Sequence, residues 1–143
     1  NLIDADLFGV ELIGANLPNV ILIHAKLSTS KLMDANLSEA FCLSADLSKA
    51  ILTNADLSGA NLIGADLSGA DLSGVNLRGA ILYKVKGITW AQLARVKTLH
   101  GAIMMDRFVY DPAVHTEIAQ LRKEAGLDDG NTPPEDSEGS GAP

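Results

Sequence analysis

The chain has 143 residues, a formal net charge of −7, 47% hydrophobic residues but only 4% aromatic ones, and a single cysteine. This excludes an intramolecular disulfide. No run of about 18 apolar residues offers a membrane span, and no basic patch interleaved with aromatics offers a nucleic-acid surface. The charge is unevenly placed: residues 1–86 carry nine acids and six bases, residues 87–127 four and five, and the last 16 residues five acids and no base.

From Leu2 to Leu82 a leucine stands at every fifth position, 16 of 17, with Cys42 the exception. Two residues before each comes a small side chain, alanine in most units, valine at Val10, Val20 and Val75, serine at Ser30. Aspartate or asparagine usually lies between, as in Ala45-Asp46-Leu47-Ser48 and Ala60-Asn61-Leu62. A step of five residues rotates about 140° around an α-helix, so these leucines would spiral and leave no buried face. A flat strand alternates with period two and would point them to opposite faces. A coil that turns a corner once per unit brings every leucine to a common axis, with the small residue where the backbone bends inward. Glycines such as Gly59, Gly64 and Gly69 suit the bend. So short a repeat implies a solenoid whose coils are stabilised by their neighbours. Leu7, Leu27, Leu47, Leu57, Leu62 and Leu67 represent its predicted core ladder.

These A-[DN]-L-x-x units resemble those of the pentapeptide repeat family, over roughly residues 1–86. The resemblance implies an all-β solenoid, a right-handed quadrilateral β-helix of about four coils. Four units make each coil, with leucine and the small residue inward. Three segments are expected: the β-helix over 1–86, a C-terminal cap with two short helices and an extended segment over 87–127, and a disordered acidic tail over 128–143.

With four units per coil, residues 20 apart stack on one side. One column reads Ile3, Ile23, Leu43, Ile63, Tyr83 and its neighbour Asn1, Ile21, Phe41, Asn61, Ile81. Eight of these ten are apolar. The other three sides carry Asp6, Lys26, Asp46 and Asp66; Glu11, Lys31, Ile51 and Asp71; and Asn16, Asn36, Asp56 and Asn76, with serines in most remaining slots. One side is thus expected to be oily and three wet. A contiguous apolar strip marks a contact surface, and Ile3, Ile21, Ile23, Phe41, Leu43, Ile63, Ile81 and Tyr83 form the candidate face. The C-terminal segment, a second subunit or a different protein could cover it. The rival reading is that β-propensity alone selected these residues.

After Val85 the pattern turns helical. Thr89 and Gln92 fit a capping box, and Ile88 and Leu93 a hydrophobic staple. A helix is expected from Trp90 to about Thr98, with Trp90, Leu93, Ala94 and Val96 covering the end of the last coil and Trp90 as a core anchor. Next comes a partial coil at Gly101-Ala102-Ile103-Met104-Met105, with Ala102 and Met104 inward, and then an extended run Arg107-Phe108-Val109-Tyr110. Asp111-Pro112 opens a second helix, reaching about Ala125 and stopping at Gly126. Its Val114, Ile118 and Leu121 lie along one face.

Nothing points to chemistry. The recurring carboxylates sit in repeating environments, whereas a general acid and base pair needs two that differ. Ser28-Thr29-Ser30-Lys31 spells S-x-x-K, but no S-D-N or K-T-G follows. His24, His100 and His115 have no partner at ligand spacing. The expectation is therefore no enzyme, no catalytic, cofactor-binding or metal-binding residue, no cofactor and no small-molecule substrate. Partners would be proteins or a second copy, with no direct nucleic-acid binding. A non-catalytic scaffold presenting a rigid face is the leading reading. The alternative, implied by the resemblance, is a DNA-mimicking modulator of DNA gyrase or another topoisomerase. Against it, the repeats carry lysines among their acids, and no central phenylalanine of the kind frequent in gyrase-active members. A cytoplasmic location is expected, with a targeting segment upstream of Asn1 left open.

Overall fold

In the computed structural model, which describes residues 1–104 together with Gln120, Lys123, Glu124 and Gly126, the five-residue period becomes a four-sided coil. Within each unit the leucine carbonyl accepts from the amide three residues on, as from Ala5 to Leu2 at 3.2 Å and from Ala35 to Leu32 at 3.1 Å. The third residue of every such turn has a positive φ, from Asp4 at 56° through Gly59 at 66° to Lys84 at 56°. That is the signature of a type II turn. Four turns close one coil, and parallel bridges join residues 20 apart, such as Asp6 to Lys26, Glu11 to Lys31, Asn16 to Asn36 and Ile21 to Phe41.

A regular interior unit gives four of its five backbone amides to backbone carbonyls. In the unit around Leu27, Lys26 N donates to Ala5 O at 2.9 Å in the previous coil. Leu27 N and Thr29 N donate to Asp46 O and Ser48 O at 2.7 and 2.9 Å in the next, and Ser30 N closes the turn on Leu27 O. In units where aspartate or asparagine precedes the leucine, the fifth amide turns to that side chain: Ser48 N donates to Asp46 Oδ1 at 3.0 Å, Ser58 N to Asp56 Oδ1 and Ser68 N to Asp66 Oδ1, both at 2.9 Å. Aspartate and asparagine precede leucine because their short side chains reach the amide two residues on. This satisfies the one donor that the ladder leaves over.

Leu27, Leu47, Leu57, Leu62 and Leu67 are at most 1% exposed, and alanines 45, 50, 55, 60 and 65 are fully buried. Leu7 is only partly buried, since the first coil packs against one neighbour. Cys42 fills its leucine slot at 1% exposure, and burial pushes its thiol up to about 12. Ser30 fills an alanine slot, fully buried, with its hydroxyl unpartnered.

The helix α1 spans Trp90–Arg95. Its capping box is formed: Gln92 N donates to Thr89 Oγ1 at 3.2 Å and Thr89 N to Gln92 Oε1 at 2.8 Å. It stops three residues short of the predicted Thr98, because Val96 is extended (φ −66°, ψ 151°) and Lys97 N donates to Val75 O at 2.7 Å. The backbone thereby re-enters the ladder. The helix replaces one side of the fifth coil, and the bridge offset steps from 20 to 22 residues, Asn76 now facing Thr98 and Ile81 facing Ile103. Leu93, Ala94 and Val96 are buried as expected, but Trp90 is 44% exposed. It stands at the rim of an apolar hollow of about 360 Å³ lined by Leu82, Ile88, Thr89, Leu93 and Met104. It is not the core anchor predicted, because Leu93 already occupies the end of the core. Ala102 and Met104 point inward, as the sequence predicts. The extended run at 107–110, the body of the second helix and the tail at 128–143 lie outside the described residues. Among the described residues no helix is long and apolar enough to cross a membrane.

Candidate docking face

The ladder brings all eight predicted residues onto one side. Ile21, Phe41, Asn61 and Ile81 form a continuous column of parallel bridges, which the structure extends to Ile103. The second column runs beside it, aligned by bonds from the turn residues. Asp4 N donates to Ile23 O at 3.0 Å, His24 N to Leu43 O at 2.9 Å, Ser44 N to Ile63 O at 2.9 Å and Gly64 N to Tyr83 O at 3.0 Å. Ile3 and Phe41 are 46% and 45% exposed, and the other six are half-buried against their neighbours one coil away. The backbone beneath this surface is already ordered, so little backbone entropy remains to be lost on contact.

Ile103 is the member that sequence reasoning missed. The signal was present, since an inward Ala102 and Met104 leave Ile103 in the slot before a leucine position. The two-residue step at α1 hid its column. At the same end Lys84 Nζ lies 5.1 Å from the centroid of the Tyr83 ring. At the other, His24 Nδ1 is 3.4 Å from Asp4 Oδ1.

The remaining sides bind mainly to themselves. On the second, Lys26 Nζ stands 3.8 Å from Asp6 Oδ2. On the third, Lys31 Nζ donates to Glu11 Oε1 at 2.5 Å and holds that carboxyl below the usual range. On the fourth, Asn36 Nδ2 donates to Asn16 Oδ1 and Asn76 Nδ2 to Asp56 Oδ1, both at 2.9 Å. Hydrogen bonds from Ser68 lower Asp66, and those from Ser73 lower Asp71. These groups are occupied by turn and ladder geometry. Among the described residues no three metal-ligating side chains gather. The three sides are not uniformly polar: Phe8 is 68%, Ile13 53% and Ile51 36% exposed. Phe8, however, heads a column continued by Ser28, Ser48 and Ser68, and Ile13 stacks on Met33 in a column that continues as Thr53 and Ser73, so apolar residues recur in every coil on the first side and stop after one or two coils on these.

Known proteins agree with this geometry. The chain is 42% identical to the pentapeptide repeat protein Rfr23 of the cyanobacterium Cyanothece 51142, with a TM-score of 0.55, over 71% of its own length and 65% of that structure. It is 29% identical to a pentapeptide repeat protein of the Arabidopsis thaliana thylakoid lumen, with a TM-score of 0.52, over 85% of this chain and 75% of that one. QnrB1, a plasmid-mediated fluoroquinolone resistance protein, is 15% identical over 86% of this chain and 67% of its own, with a TM-score of 0.41. That likeness carries no argument about function. No curated protein matches the sequence. The family model for pentapeptide repeats matches eight copies, over residues 1–39 and 42–79, the stretch whose leucines fill the coil. The chain therefore belongs to the pentapeptide repeat family, and its fold is that family's right-handed quadrilateral β-helix.

Proposed function

We propose that this protein is a non-catalytic scaffold that offers the first side of its β-helix to a protein partner. The observation that carries the reading is the double column of Ile3, Ile21, Ile23, Phe41, Leu43, Ile63, Ile81 and Tyr83, contiguous across the coils and held in register by the backbone. Contiguous apolar surface with polar flanks is what interfaces use. The family is in general one of structural or interaction proteins, which supports the same reading. A DNA-mimicking inhibitor of gyrase needs an unbroken acidic surface, whereas Lys26 and Lys31 sit against Asp6 and Glu11. A supercoiling assay with purified gyrase tests that alternative, and no effect at micromolar protein is expected.

The test of the scaffold reading is the double variant Ile23→Glu with Leu43→Glu. Both side chains point outward, so the circular dichroism spectrum is expected to stay unchanged while partner capture or self-association is lost. Unchanged mass by light scattering together with unchanged captured proteins would refute it.

A further inference from the structure

We propose that the first side of the coil docks a second copy of this chain, face to face and with the two coils antiparallel. The inference rests on reading that side as a docking face and names its partner. It starts from the order of residues along the strip. The bridges keep a 20-residue offset from Asp6 to Lys86, so no inserted residue bulges from this side and successive members of a column stand one coil apart. A two-fold axis lying along the strand direction at Leu43 reverses that order and keeps each column over its own counterpart. Leu43 then meets Leu43 of the second copy, Ile23 meets Ile63 and Ile3 meets Tyr83, apolar against apolar throughout. In the neighbouring column Phe41 meets Phe41, Ile21 meets Asn61 and Asn1 meets Ile81. The two asparagine oxygens already accept from Ile3 N and Ile63 N at 3.2 Å, so neither loses its donor when water is excluded.

Charge selects both the partner and its direction. The turn residues beside the strip read Asp4, His24, Ser44, Gly64 and Lys84, an acid at one end and a base at the other. Reversal sets Asp4 of each copy against Lys84 of the other, so the pair forms twice. Asp4 is 73% exposed, and its ion-pair partner among the described residues is the exposed His24, which leaves it open to a second cation. On the opposite rim Glu39 would approach its own counterpart near the axis, but its carboxyl lies over Gly59, one coil further along. Parallel coils would instead set the two rims against each other. Asn19, Glu39, Gly59 and Gly79 then offer no cation at the level of Asp4 and no acid at that of Lys84.

Size sets the strength. The strip from Ile3 to Tyr83 is four coil spacings long, about 19 Å at the usual strand separation, and two columns wide. A contact of that size falls below about 1,200 Å² and in the weak, reversible class. Monomer and dimer are therefore expected to exchange with concentration.

The test exchanges charges on the full chain at turn positions, where both residue types already occur: Asp34 holds φ 57° and Lys49 φ 55°. In sedimentation velocity the wild type is expected to pass from monomer to dimer as concentration rises. Asp4→Lys and Lys84→Asp, taken singly, set like charges face to face twice over and are expected to weaken association roughly tenfold. An equimolar mixture of the two variants is expected to restore it, because each copy then carries the charges that the other lacks. A short bis-maleimide is expected to join Leu43→Cys chains at doubled mass but not Ile3→Cys chains, whose thiols stand about 19 Å apart along the coil. The native Cys42 is buried and stays out of the reaction. A wild type that remains monomeric at every concentration overturns the proposal, as does a mixture that associates no better than its components. Equal linkage of the two cysteine variants overturns it too, since only parallel coils bring both thiols together. The outcomes separate from those of the scaffold test. Capture of other proteins lost in Ile23→Glu with Leu43→Glu, beside a monomeric wild type, keeps the docking face and removes the second copy. A dimer that survives those two glutamates pairs through another surface and overturns the proposal whatever becomes of capture.

Discussion

Gln92 Nε2 lies 2.9 Å from Ala70 O and 3.1 Å from Leu67 O, where the regular coil would supply a backbone amide to Ala70. In the coil below, Ala50 O accepts from Asp71 N at 3.0 Å. The same glutamine closes the capping box on Thr89, so one side chain starts the helix and finishes the sheet edge that the helix displaces.

Replacing it separates the two roles. Gln92→Ala removes a cap and leaves a carbonyl without its donor, a loss of about 1–3 kcal/mol. Gln92→Glu retains the acceptor for Thr89 but sets a carboxylate against two carbonyls, and is expected to be no more stable than the alanine variant. Urea unfolding with an unchanged m-value checks both. A glutamate variant of wild-type stability would show that the edge bonds contribute nothing.

Ser30 is the one buried side chain with an unpartnered polar atom among the described residues. Its slot is alanine in most units, so Ser30→Ala removes the desolvated hydroxyl without leaving a large void. A gain of about 1–2 kcal/mol is expected, read as a higher urea midpoint. A lower midpoint would mean that the hydroxyl has a bonding role in solution.

The turn positions make a matched pair in one column. Thr29 holds φ 59° and Gly69 φ 65°, a region that costs an L-residue about 1–2 kcal/mol and suits β-branched side chains least. Thr29→Gly is expected to stabilise by up to about 1 kcal/mol. A Cβ on Gly69 would meet nothing closer than Lys49 Cγ at 3.6 Å. Gly69→Ala thus reports the backbone cost alone, with stability falling by about 1 kcal/mol. Thermal unfolding of the two variants should move in opposite directions.

Acid should loosen the coil through its Asx turns. Asp66 and Asp71 are lowered first by hydrogen bonds from Ser68 and Ser73. Their ionised forms are therefore favoured in the folded state, and their contribution is fully present above the unfolded carboxyl value of about 4. It fades as pH falls through the lower folded values. Asp66→Asn with Asp71→Asn keeps the acceptor oxygen but cannot titrate. The variant is expected to lose less stability than the wild type as pH is lowered below about 4. Parallel loss in both would place the acid sensitivity elsewhere.

The leucine beat was sufficient to predict a solenoid, because no helix or flat strand can bury side chains five apart, and the stacking of Ile21 on Phe41 followed once the family resemblance set four units to a coil. The capping box was equally plain, since Thr89 and Gln92 interact within a single turn. What escaped were the consequences of long-range geometry. The helix stops at Arg95 because Val75 and Asn76, some 20 residues earlier, recapture Lys97 and Thr98 into the ladder. Local propensity carries no record of that competition. Trp90 is left at a rim because Leu93 fills the core end first.

The sequence by itself thus determined the period and the inward leucines, and with the four-unit coil that the family resemblance implies it gave the oily side as well, each written in residues at most one coil apart. Only the tertiary structure decided the two-residue step, the arrival of Ile103 on that side and the second use of Gln92. These depend on which donor reaches which carbonyl once the coils are stacked, and hydrogen-bond partners far apart along the chain are chosen by that stacking.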